Sequence, residues 1–128
     1  MTSSPAQRLV VWPADFVIEH RPGTPDSPDD LAAEWLSMVR APEGLTVIRK
    51  ASDVHPGDQR WTAVYGDSAH ALDLPGMLAA VISPLAEAEI PVFVTSTYHA
   101  DVVLVPRQRR DEALRVLRAA GHEVAGVS

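Results

Sequence analysis

His20, His55, His70, His99 and His122 are the side chains best suited to acid–base or metal chemistry near neutral pH. No two of them stand four residues apart, the spacing that puts two metal ligands on one helix face. The chain also has no cysteine, so zinc fingers, iron–sulfur clusters, thiol catalysis and redox switching drop out, and neither a metal nor a cofactor is expected. His99 and Asp101 lie two apart, where alternate strand positions face the same side. They could act as the acid–base pair of a small hydrolase or isomerase, or as two metal ligands, and a polar surface hairpin explains the same two residues. The G-x-S-x-G, P-loop and G-x-G-x-x-G strings are absent. No nucleophile with an adjacent base is visible, so no catalytic residue is assigned.

Two other places could bind rather than react. Gly76 stands where a helix should begin, and free N–H groups at a helix N-terminus attract a carboxylate. A glycine there also lets a ligand approach the backbone, or simply makes a tight turn. Ser96, Thr97 and Tyr98 end an apolar strand in three hydroxyls, which could hold a polar ligand or satisfy a turn. Trp12, Trp35 and Trp61 read as core anchors. Arg107, Arg109, Arg110, Arg115 and Arg118 could grip phosphates, but a solvated arginine face on an amphipathic helix accounts for them more simply. The net charge of −6 argues against nucleic acid or an anionic membrane as the partner.

The elements that must position these residues are clearest in the second half. Trp61 to Tyr65 alternates aromatic and β-branched residues and predicts a strand. After Leu74-Pro75-Gly76, Met77, Val81, Leu85 and Ala88 recur at helical spacing through about Glu89, with Pro84 inside the helix and a kink expected there. Pro91 to Ser96 and Asp101 to Val105 predict two strands joined by a link of hairpin length, the second strand apolar enough to be buried on both faces. Arg110 to Ala120 predicts an amphipathic helix stopped by Gly121, and His122 to Val127 a last strand.

This order of strand, helix, strand, strand, helix, strand is the βαββαβ pattern of a ferredoxin-like α+β sandwich, with two helices on one sheet face. The first half should cover the other face. It offers strands at Arg8 to Trp12 and Asp15 to His20, and a short helix opened by Ser27-Pro28-Asp29-Asp30, with Leu31 and Trp35 on one side. A hairpin of Leu36 to Arg40 and Leu45 to Arg49 turns at Ala41-Pro-Glu-Gly44. The first half thus reads as a degenerate copy of the second, 1–58 against 59–128, two halves in tandem around one core.

At 128 residues the chain is the size of one compact domain, able to bury a core without disulfides. No uncharged apolar run approaches the ~20 residues of a membrane span. Arg8 is followed by four apolar residues before Pro13, too few for a secretory core, and a cytoplasmic location is expected.

Leu74-Pro-Gly-Met-Leu78, Pro84-Leu-Ala-Glu-Ala88 with Ile90, and Ser96-Thr-Tyr-His-Ala-Asp-Val-Val-Leu-Val105 together resemble the small tandem ACT-domain proteins related to the CASTOR-type arginine sensors. Their usual wording runs close to L-T-G-V-L, P-L-A-E-A-G-I and S-T-Y-D-T-D-Y-V-L-V. The likeness covers about residues 61 to 121 and extends weakly to Glu43-Gly-Leu-Thr-Val-Ile48. Pro75 stands for the family's threonine, Glu89 for its glycine, and His99-Ala100 for the D-T of the hairpin. Only Asp101 of that acidic pair remains, which leaves an arginine ligand without one of its two acids. The resemblance implies a non-enzymatic regulatory or sensor protein, a homodimer, that binds an amino acid around Asp73, Leu74 and Gly76 with Ser96, Thr97 and Asp101 nearby. Asp101 would pair with the ammonium and the Gly76 backbone would hold the carboxylate. A module of the same fold serving only protein assembly is the alternative.

Overall fold

The computed structural model describes residues 6–23, 35–66 and 76–125. Its strands are β1 (Arg8–Pro22), β2 (Trp35–Ala41), β3 (Gly44–Lys50), β4 (Trp61–Gly66), β5 (Phe93–Ser96), β6 (Asp101–Pro106) and β7 (Glu123–Ala125). The helices are α1 (Met77–Glu87) and α2 (Arg110–Ala119). From β4 to β7 the order is the βαββαβ expected. The helix expected from Pro28 lies outside the described residues except for Trp35, which instead opens β2. Among the described residues no helix is long and apolar enough to cross a membrane.

All seven strands join one sheet in the order β2-β3-β1-β4-β6-β5, with β7 beside β1. Two expectations are corrected here. The strands expected at Arg8 to Trp12 and Asp15 to His20 are one long strand, whose ladder shifts register between Val11 and Asp15, where Pro13 has no N–H to offer. That shift lets β1 change neighbours. Its first residues pair with β7, Arg8 opposite Glu123, and its later ones with β3, Phe16 opposite Lys50. The second half, expected to form a ferredoxin-like sandwich, therefore does not complete a sheet of its own. β4, β5 and β6 are antiparallel, but β7 runs parallel to β1, which lies between it and β4. At the β2–β3 turn, a Cβ on Gly44 would collide with the carbonyl of Arg21, so β1 and this hairpin pack with no room for a side chain.

Alternation along the strands supplies two cores. Leu9, Val11, Val64, Val103 and Val105 face the helices and meet Val81, Leu85, Ala113, Leu114 and Leu117. On the other face Phe16, Ile48, Ala63, Val102 and Leu104 pack with Trp12, Leu36, Trp61, Tyr65 and Phe93. The sheet covers this second core by curling, so that its two ends, β2 and β5, are bridged by Ser37 Oγ and Thr95 Oγ1 at 3.0 Å. The result is an open barrel with α1 and α2 on its outside. The tryptophans are not the buried anchors expected: Trp12 and Trp61 sit at the margin of the second core, and Trp35 is 46% exposed.

Both helices end in the same way. After α2, Gly121 takes a left-handed φ of 100°, its N–H bonds Arg118 O, and the His122 N–H bonds Leu117 O at 3.1 Å. After α1, Glu89 occupies the equivalent place with φ 58°, where the Glu89 and Ile90 N–H groups bond Ala86 O and Leu85 O. The Arg109 guanidinium donates to Glu89 O at 2.7 Å and pairs with Glu112 at 2.8 Å, holding the strained turn. Arg107 pairs with Asp15 at 3.0 Å, and Arg118 donates to Val124 O, so these arginines brace the fold.

Pro84 cannot donate to Ala80 O four residues back. The buried His122 does so instead, with Nε2 at 2.8 Å from that oxygen. Because a carbonyl only accepts, the ring proton is on Nε2, which leaves Nδ1 to accept the Gln7 N–H at 3.0 Å.

Two predictions follow from these helix ends. Glu89→Gly removes the left-handed strain and should raise stability by about 1 kcal/mol, read from denaturant melts. His122→Phe orphans Ala80 O and the Gln7 N–H, at about 1–3 kcal/mol each. In a Pro84→Ala background the new N–H returns to Ala80 O, so the same replacement should cost less by roughly one such group; equal costs in the two backgrounds would refute the assignment.

Candidate functional site

The N-terminus of α1 and the β5–β6 hairpin face each other across a cleft of about 310 Å³, lined by Gly76 to Ala79 on one side and Ser96 to Asp101 on the other. Local sequence explains each wall. Gly76 takes φ 84°, a conformation costly for other residues, and a Cβ there would meet nothing within 4 Å among the described residues. The turn into the helix therefore requires the glycine. The first helical bond runs from Ala80 N to Gly76 O, and the N-cap residue, a glycine, has no side chain to cap the end. The N–H groups of Met77, Leu78 and Ala79 thus have no acceptor within the helix, and the helix dipole places partial positive charge there.

Across the cleft, Ser96 and Asp101 are directly opposite in the ladder. Ser96 Oγ donates to Asp101 Oδ1 at 2.8 Å, which fixes the carboxylate. Thr97 does the work of the turn. Its hydroxyl donates to Ala100 O and accepts from the N–H groups of His99 and Ala100, at 3.1, 3.3 and 3.0 Å. With its donor and both lone pairs used, Thr97 lines the cleft without a hydroxyl to offer a ligand. The side-chain contacts that close the turn are thus those of Thr97.

Of the residues singled out in the sequence, Gly76, Ser96, Thr97 and Asp101 come together on this cleft, while Asp73 and Leu74 lie outside the described residues. His99 and Asp101 do not form a pair. His99 sits in the turn and not on a strand, its ring edge-on to Tyr98 at 5.0 Å between centroids, and Asp101 is held by Ser96. Sequence reasoning missed Gln7, whose Nε2 donates to Met77 O at 2.6 Å in the first turn of α1. No local pattern marks a lone glutamine before a strand. The signal available was indirect, a proline inside a helix and a histidine after a helix-stopping glycine.

An acid on one wall and N–H groups without a helical acceptor on the other suit a molecule with a positive and a negative end. Residues 57–119 match the ACT domain family. The match runs from the turn before β4 to the last residue of α2, leaving out β7 and the whole β1–β3 region. The structure resembles a protein from Agobacterium tumefaciens, with TM-score 0.78, 24% identity, and coverage of 97% of this chain and 96% of that one. It also resembles a protein of unknown function from Vibrio cholerae described as a possible transport protein (0.72, 24%, 89% of each chain). A third likeness is to the regulatory subunit of aspartate kinase from Thermus flavus (0.62, 12%, 90% and 97%). At these identities the likeness is one of fold. No curated protein sequence matches the chain.

Thr97→Val keeps the shape of the turn and removes its donor and acceptor. It should lower stability by about 1–2 kcal/mol, measured by thermal melting; an unchanged melt would show that the hydroxyl does not hold the hairpin.

Proposed function

We propose that the protein is a non-enzymatic regulatory ACT protein that binds an amino acid in the cleft between α1 and the β5–β6 hairpin. The observation that carries this reading is the pairing of an orienting Ser96–Asp101 contact at 2.8 Å with the N-terminus of α1 across one opening. Asp101 receives the ligand ammonium, and the N–H groups after Gly76 receive its carboxylate. Asp73 and Leu74 complete the binding loop in this reading, as the resemblance to the CASTOR-type sensors implies. The fold likeness to a regulatory subunit of aspartate kinase supports a regulatory role over a catalytic one. The His99–Asp101 enzyme reading loses its support from the separate engagements of the two side chains. We take the chain as two ACT-like halves, the first degenerate, acting as a cytoplasmic homodimer.

Thermal shift against the twenty free amino acids tests the reading. An amino acid at 100 times its dissociation constant should add about 2.7 kcal/mol to stability. Asp101→Asn keeps an acceptor for Ser96 Oγ, so folding should hardly change, while affinity for that amino acid falls by about 1.5–3 kcal/mol in calorimetric titration. No response to any of the twenty would favour the assembly module, and unchanged affinity in the variant would remove Asp101 from the site.

A further inference from the structure

Gln7 holds three elements at once. Its N–H donates to His122 Nδ1 at 3.0 Å, its carbonyl accepts the Glu123 N–H at 2.9 Å, and its side chain grips Met77 O at 2.6 Å. A Cβ built on Gly66 would lie 3.9 Å from Gln7 Oε1 and 3.8 Å from the Ala100 side chain, so the carboxamide lies near the end of β4 close to the hairpin wall. Met77 is itself part of the cleft. On the far side, the ring that accepts the Gln7 N–H also occupies the Ala80 carbonyl, one turn further along α1. The first turn of α1 and the junction of β1 with β7 therefore share one residue and one imidazole.

We propose that Gln7 is a positioning residue of the cleft, setting the first turn of α1 while making that setting conditional on the docking of β7 against β1. The proposal rests on the reading of the cleft as a ligand site. Its consequence is that events at the cleft and at the β1–β7 edge are linked, and linkage is reciprocal. A shift of α1 needed to seat a carboxylate pulls on Met77 O and thus on Gln7. Loss of β7 from the edge releases Gln7 and loosens the wall.

Amide hydrogen exchange on the full chain, without ligand, tests the linkage with two variants. Gln7→Met keeps length and removes the donor. Glu123→Pro removes the N–H that bonds Gln7 O at a residue outside α1 and outside the cleft. Each should speed exchange by about fivefold, the loss expected for one hydrogen bond, at Ala80 and Val81 in α1 and also at Ala125 in β7, whose N–H faces β1 as that of Glu123 does, with Val47 in β3 unchanged. A response confined to α1 in Gln7→Met, or to the β1–β7 edge in Glu123→Pro, would overturn the proposal. So would a uniform rise that includes Val47, because general destabilisation would then explain both. Since no ligand is used, failure of the amino-acid panel would leave this pattern standing, and failure of the pattern would leave binding standing.

Discussion

A proline in α1 leaves the Ala80 carbonyl without its helical donor, and much of the structure around the cleft depends on how that oxygen is satisfied. The donor comes from His122, forty-two residues later, the first residue beyond the stop of α2. Because the ring spends its one proton on Ala80, its other nitrogen must accept, and the N–H available is that of Gln7 at the entry to β1. One missing backbone hydrogen thus ties both helices to the strand that completes the sheet. The buried ring keeps both nitrogens engaged, as a polar group in a core must.

The second dependence is on the break in β1. A strand that paired with one neighbour throughout its 15 residues would force β7 and β3 to compete for the same edge. The register shift at Pro13 divides that edge, giving β7 the first residues and β3 the rest. The later part of β1 then carries the β2–β3 hairpin around until β2 reaches β5, and the second core closes inside the curl. Asp15, next to the shift, pairs with Arg60 at 3.1 Å and Arg107 at 3.0 Å and so fixes the loop between the two halves of the chain.

What could be read from sequence follows the range of the interactions. The β5–β6 hairpin, α1 and α2 are local objects, marked by β-branched runs, helical spacing and Gly121, and they stand within two residues of where the pattern puts them. Gly76, Ser96 and Asp101 reach one cleft because those local objects are right. The place of β1 was not legible: period-two alternation says that a strand exists and which residues face inward, but not which strands it lies between. The same blindness covers His122, whose role is set by a proline in another helix. The tryptophans misled for a different reason, since ring size says that a residue prefers contact and not that the contact is complete.

The insertion of β1 beside β7 also has a kinetic side. Gln7 and His122 are 115 residues apart, so the contacts that finish the sheet close a loop spanning nearly the whole chain. Such pairings form late, because loop entropy must be overcome before they give anything in return. On a ribosome β1 would wait for β7, with the Leu9–Val11 stretch of its edge lacking both β4 and β7. An apolar, unpaired edge in a growing chain is where wrong pairing with another chain begins, so the speed of translation through the second half and the presence of a holding chaperone should decide how much of this protein reaches its native state.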